Sequence, residues 1–252
     1  MNDRIGRIAL AIAAHLALLL AWYLFVKLGN VPKFVMPSPG ATLDALLQPN
    51  YDWWTNIAVT GTEIFAGYFL ALVVGVALAL AFSWSKMLES FFMPLLVSLN
   101  MIPKVALGPL IIVWFKYGVF PNSLMAFSIC VFPILLTTAR GLREVEPELL
   151  DLVNALKGSR WQLFTKIQLP GALPYIFSGM KVAAILAVAG AIVGEFLGSD
   201  KGLGYLMLQV QVTLDTPAMF MAVLLITLIG MLLYGLVLGL EKLLVVKDAR
   251  VS

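Results

Sequence analysis

The sequence predicts an all-α, polytopic membrane protein with about six transmembrane helices and one substantial charged loop on the cytoplasmic side. Three observations predict this. Hydrophobic residues make up 61% of the 252 and charged residues only 12%, with a mean hydropathy of +0.96. Water-soluble domains hold about 45–50% apolar and about 25% charged residues, so this excess cannot be buried in one soluble core. Six apolar stretches approach or exceed the roughly 20 residues needed to cross a bilayer as a helix. Between the fourth and fifth lies a polar, charged, helix-prone island, residues 140–174.

The first stretch, 8–26, follows Arg4 and Arg7, as a signal peptide would. It is long for such a segment and no small-residue cleavage site follows, so it reads as a retained span. Pro32, Pro37, Pro39 and Pro49 break the segment after it, 29–55, into a linker with a short surface helix at 42–47. Trp53 and Trp54 precede the second span, 57–84, at the level where indole rings favour the headgroup zone. The third span, 91–115, contains Pro94, Pro103 and Pro109. The fourth, 124–139, is short. The fifth and sixth are 175–197 and 218–240, separated by the turn Gly198-Ser199-Asp200-Lys201-Gly202-Leu203-Gly204. That turn follows a membrane helix and lacks a Gly-Lys-Ser/Thr ending, so it is no phosphate cradle.

The basic residues give the orientation. With the N-terminus inside, Arg4, Arg7, Lys86, Arg140, Arg143, Lys157, Arg160, Lys166, Lys181, Lys242, Lys247 and Arg250 are cytoplasmic. Lys27, Lys33, Lys116 and Lys201 are outside, and Lys104 lies within a span. Twelve against four places both termini and the island in the cytoplasm. The chain divides into 1–56 (first span and external linker), 57–242 (core with the island) and 243–252 (cytoplasmic tail).

Several function classes recede. One His, His15, and one Cys, Cys130, both in apolar runs, provide no metal-ligand spacing, no disulfide and no catalytic constellation. The net charge of +3 comes from residues flanking spans, which does not indicate nucleic acid. No Walker-type loop is present, so the chain does not hydrolyse ATP alone. We expect no catalytic residue, cofactor or metal bound by this chain.

Within the island, Glu144, Glu146, Glu148 and Asp151 precede Lys157, Arg160 and Lys166, an order that suits a helix dipole. Pro147 fits a first helical turn. A helix over 147–156, a break at Gly158 and a second helical stretch over 160–168 follow, with Trp161, Phe164 and Ile167 on one face. By pattern alone this is either a solvated loop with some interfacial helix or a docking element.

The island resembles the cytoplasmic loop of permease subunits of ATP-binding-cassette importers. That family's motif is Glu-Ala-Ala, three residues, Gly, nine residues, Ile, one residue, Leu-Pro. Counting back from Leu169-Pro170, Ile167 matches the Ile, Lys157 stands at the Gly position and Asp151-Leu152-Val153 stand at Glu-Ala-Ala. The acid is kept, the alanines are larger apolar residues, and the glycine is one place on, at Gly158. Other matching pieces are Met36-Pro37-Ser38-Pro39, Ile102-Pro103-Lys104-Val105-Ala106-Leu107-Gly108-Pro109, Trp114-Phe115, Glu195-Phe196-Leu197-Gly198 and Gly202-Leu203-Gly204-Tyr205. Together they are similar to the nitrate/sulfonate/taurine/bicarbonate branch, over most of the chain.

The resemblance implies a type I importer-like pore made by two permease copies in the inner membrane. Two separate ATPase subunits would carry ATP and Mg, and an extracytoplasmic binding protein would deliver a small solute, an anion or small organic compound. It implies that Glu148, Asp151, Leu152, Val153, Asn154, Ala155, Leu156, Lys157, Gly158 and Ser159 form the coupling helix that docks on the ATPase. The competing class is an ATP-independent channel or secondary transporter, in which the island has no role.

For the pathway the residues themselves indicate Asn100, Met101, Pro103, Lys104, Ser128 and Glu195. Proline frees carbonyls that lipid cannot satisfy, so 103–109 should face protein or a cavity. Two roles fit Lys104: attracting an anionic solute, or snorkelling and pairing with an acid. Two fit Glu195: a structural hydrogen bond at the helix end, or gating. Gly67, Gly75, Gly179, Gly190 and Gly194 are expected to permit close helix packing.

Overall fold

A computed structural model describes residues 2–245; Lys247 and Arg250, assigned above to the cytoplasmic tail, lie outside the described residues. Among the described residues the chain is helical throughout and has no strand. The long helices are α1 (Asn2–Leu28), α3 (Trp53–Trp84), α6 (Val119–Arg143), α9 (Leu169–Gly198) and α11 (Thr216–Leu244), each long and apolar enough to cross a membrane. Shorter ones connect them: α2 (Pro39–Ala45), α4 (Lys86–Asn100), α5 (Lys104–Phe115), α7 (Pro147–Ala155), α8 (Arg160–Leu163) and α10 (Leu203–Val212).

The core is a three-helix sandwich in which α6 lies between α3 and α9. Small residues bring the backbones together. A Cβ placed on Gly67 of α3 would lie 2.6 Å from the Ala126 Cβ, and one on Gly190 of α9 would lie 2.6 Å from the Ala126 Cα. Gly75, Gly179 and Gly194 are equally closed, against Ile134, Thr137 and Asn122. Without a hydrophobic drive between helices in lipid, such close approach supplies the dispersion contacts that hold the bundle.

The third expected span is not one helix. Asn100 ends α4 and Lys104 starts α5, and the two are bent by 86°. Pro103 has no N–H to continue α4, and the residue before a proline avoids the helical region. The pair counts as one broken span or a re-entrant segment.

The fourth span runs well beyond 124–139. Asn122 and Ser123, just before the expected start, are buried and hydrogen-bonded, Asn122 to Glu63 at 2.8 Å and Ser123 to the Val119 carbonyl at 2.8 Å. At the fifth span, Pro170 and Pro174 do not stop the helix, which is continuous from Arg160 to Gly198. A π turn over Phe164–Gln168 precedes Pro170, and the Leu169 N–H bonds the Phe164 carbonyl five residues back. The widened turn leaves room for a ring that would strike the i−4 carbonyl of a regular helix.

The linker after α1 is an ordered cap rather than a loose connection. Trp22 Nε1 donates to the Pro37 carbonyl at 2.9 Å, Thr216 Oγ1 to the Phe34 carbonyl at 2.6 Å and Trp53 Nε1 to the Ala45 carbonyl at 3.1 Å. The surface helix lies at Pro39–Ala45, a few residues before the expected 42–47, because Ser38 caps it by accepting from Ala41 N at 3.2 Å. Trp54 is exposed as expected of a headgroup anchor, whereas Trp53 is buried against α2.

One ion pair joins α9 to α11: Lys181 Nζ lies 3.1 Å from Glu241 Oε1, with little of either side chain exposed. Removing the lysine strands the buried Glu241 carboxylate, which costs about 3–5 kcal/mol. Lys181→Met alone should therefore lower the melting temperature in detergent, and adding Glu241→Leu to it should recover most of the loss. Additive losses in the double-mutant cycle would show that the pair does not couple the helices.

Candidate functional site: the loop helix, the broken span and a buried carboxylate knot

The island forms a helix–turn–helix. Pro147 opens α7, as a residue without an N–H can, and Glu148 in the first turn complements the dipole. Leu156 caps the end, Lys157 takes the left-handed conformation at φ 53°, and Gly158 N–H returns to the Val153 carbonyl at 2.8 Å. This is a Schellman ending. The left-handed residue is Lys157, the position at which the importer motif has glycine. The adjacent Gly158 is also required, because a Cβ there would lie 2.7 Å from the Val153 Cγ1. Ser159 then starts α8 with a reciprocal capping box: its Oγ accepts from Gln162 N at 3.2 Å, and its N–H donates to Gln162 Oε1 at 2.8 Å.

The sequence-derived docking residues thus sit together on one short, externally presented element. Asn154 and Ala155 are in its last helical turn. Glu148, Asp151, Ala155, Leu156, Lys157 and Ser159 are exposed, and Val153 and Gly158 are half-buried. Its apolar residues are the unusual part. Leu149, Leu152 and Leu156 are 36%, 52% and 73% exposed at positions i, i+3 and i+7. They form a leucine stripe on a charged loop outside the spanning helices, the pattern of a helix laid into a partner's groove.

Of the pathway residues, the structure gathers Asn100, Met101, Pro103 and Lys104 at the break between α4 and α5 and leaves Ser128 and Glu195 elsewhere. Asn100, Met101 and Pro103 are exposed. Lys104 is half-buried, and its Nζ donates to the Leu99 carbonyl at 3.0 Å, which also accepts from Ile102 N at 3.3 Å. Ser128 lies mid-α6 and turns its hydroxyl back to the Met125 carbonyl at 2.8 Å.

Glu195 is fully buried and accepts three hydrogen bonds: from Thr60 Oγ1 at 2.6 Å, Gly204 N at 2.5 Å and Tyr205 N at 3.2 Å. Thr60 Oγ1 in turn accepts from Leu203 N at 2.8 Å, and Asn56 Oδ1 from Gly202 N at 2.7 Å. Gly202 has φ +111°, and a Cβ on it would overlap the Glu195 carboxylate. The turn read from sequence as plain is therefore pinned: four consecutive N–H groups, 202–205, are satisfied by α3 and α9. The first turn of α10 has its orphan donors met in this way.

Sequence reasoning did not single out Glu63, Asn122, Thr60 and Asn56. Glu63 had a signal, being an acid within an expected span, which is costly unless partnered. Its partner Asn122 lay just outside the expected fourth span. Lys104 and Glu195 make no ion pair with each other; each has the partners given above.

Residues 64–246 match the family described as the binding-protein-dependent transport system inner membrane component. The chain belongs to this family.

A probable ABC transporter permease protein of Haemophilus influenzae is 36% identical to it over 86% of this chain and 89% of that protein. A formylaminopyrimidine transport permease protein of Halalkalibacterium halodurans is 30% identical over 91% and 92%. A riboflavin transport system permease protein of Chloroflexus aurantiacus is 35% identical over 94% and 90%. The taurine transport system permease protein of Escherichia coli, 24% identical, is a more distant relative from the branch expected above. In fold, the chain is similar to an inward-facing structure of the MetNI methionine ABC transporter, with a TM-score of 0.53, 19% identity and coverage of 76% of this chain and 98% of that one. The permease is thus a multi-pass membrane subunit of an ATP-driven importer for a small solute, working with ATPase partners.

Proposed function

We propose that the permease forms its pore as a pair of identical copies, with α7 as the coupling helix on each of two ATPase subunits. The carrying observation is the exposed stripe Leu149, Leu152 and Leu156 on a helix whose ends are closed by Pro147 and the Lys157–Gly158 turn. A groove on the ATPase covers the stripe. Asp151 and Lys157 flank it and set its register by charge. The termini are cytoplasmic, in keeping with the distribution of basic residues. ATP and Mg stay on the ATPase, and this chain takes no part in hydrolysis.

An extracytoplasmic binding protein presents the solute at the capped face. The broken α4–α5 element, with Asn100, Met101, Pro103 and Lys104, lines the path; a helix break in a membrane is tolerated beside protein or water. Ser128 on α6 is a further lining residue. Glu195 acts on the path indirectly, by holding the 202–205 turn. The named solutes of two similar permeases, formylaminopyrimidine and riboflavin, support a small organic compound of the nitrogen-heterocycle class.

The test is reconstitution of the permease with its ATPase and binding protein in liposomes, following uptake of riboflavin, a formylaminopyrimidine and taurine. Uptake of a heterocycle, but not taurine, with ATP consumption is expected. Asp151→Lys with Lys157→Glu should cut transport-coupled ATPase activity by about tenfold or more, for the loss of two rim charges and the turn they frame. Membrane insertion should be intact. Unchanged coupling would remove α7 from the docking role.

A further inference from the structure

A cavity of about 470 Å³ opens where α3 ends and α8 begins. Its walls are aromatic. Trp84 meets Trp161 and Phe164 edge-on, with ring centroids 6.1 and 5.7 Å apart. Its polar groups are Arg160, Gln168 and Ser83, and no carboxylate lines it. None of these three side chains has a hydrogen bond or ion pair with another described residue. A guanidinium, an amide and a hydroxyl together offer donors to one cluster of anionic oxygens. Gln168 ends the π turn, a local widening that recurs at functional sites.

Position selects the source of the anion. Trp84 is the last residue of the span Pro49–Trp84, and Arg160 is the first of the helix Arg160–Gly198. Tryptophan and arginine at the ends of spans mark the headgroup level. We propose that this cavity binds the phosphodiester headgroup of an anionic phospholipid, with Arg160, Gln168 and Ser83 holding the phosphate oxygens and Trp84 and Trp161 flanking the glycerol. The volume suits a headgroup with its glycerol. Because α8 directly follows the docking helix, a bound lipid would tether that loop to the bilayer surface. The site does not depend on α7 docking an ATPase.

Native mass spectrometry of the purified permease, alone and assembled with its ATPase, tests this with dioleoyl phosphatidylglycerol, dioleoyl phosphatidylcholine and inorganic phosphate. Phosphatidylglycerol should be retained in both preparations and phosphatidylcholine lost, because its trimethylammonium would sit beside the Arg160 guanidinium with no carboxylate near. Arg160→Ala with Gln168→Ala should weaken retention by about tenfold, for the loss of a charge-assisted contact. Arg160→Glu, a change at an exposed position, should abolish it without lowering the melting temperature. Equal retention of the two lipids, or unchanged retention by the variants, overturns the proposal. Displacement of the lipid by inorganic phosphate would make this a soluble-anion site. Loss of the lipid on ATPase assembly would make it part of the ATPase contact.

Discussion

Replacing Leu152 and Leu156 together by glutamate is expected to strip the ATPase from the purified complex while the permease still inserts and folds. Both side chains are more than half exposed, so the free permease loses little packing. In the complex each buries its apolar surface, for about 1.5–3 kcal/mol per leucine. Two carboxylates placed in an apolar groove add a desolvation penalty. Affinity should fall by about 100-fold or more. Pull-down of the ATPase and ATPase stimulation by loaded binding protein report the effect, and the melting temperature serves as the control. An ATPase that stays bound and coupled would mean that the stripe faces something else, and the groove would have to be sought on other cytoplasmic residues.

Glu195→Ala should be strongly destabilising. The substitution leaves the Gly204 and Tyr205 N–H groups and the Thr60 hydroxyl without their acceptor, in a place that water does not reach. Each unsatisfied group costs about 1–3 kcal/mol, so the variant loses on the order of 4 kcal/mol. For a chain of this size that lowers the melting temperature by about 10 °C. Glu195→Gln keeps one carbonyl oxygen as an acceptor and should lie between the two. The 199–205 segment should also become sensitive to added protease. A melting temperature within a degree or two of the parent, with the segment still protected, would assign the carboxylate to the transport path instead of the turn.

The spans were legible because an apolar helix in lipid follows from local composition. Residues 57–84 and 218–240 are predominantly apolar, and the structure moves their ends by only a few residues. The Pro147 and Gly158 signals made α7 and the turn after it legible as well, with the break expected at Gly158. The motif's glycine position is occupied by Lys157, and the backbone there is left-handed all the same. The pathway and the carboxylate knot were harder to read. Asn122 looks like the polar edge of a span until Glu63, 59 positions earlier, supplies its acceptor. Pro103 and Pro170 look alike as helix breakers. One ends a helix, and the other is absorbed by the π turn over Phe164–Gln168.

The sequence alone determined that this chain crosses a membrane several times and that a charged loop with importer-type spacing lies between two spans. These properties are additive over neighbouring residues. Hydropathy sums along a stretch, and a cap or a proline acts within one turn. The tertiary structure alone decided that the small residues set α6 between α3 and α9, and that Glu195 closes on the 202–205 turn. Those outcomes depend on pairing groups far apart in the chain. A buried carboxylate or a freed carbonyl is tolerable in lipid only if a distant segment brings the partner, and no local pattern encodes where that partner will be.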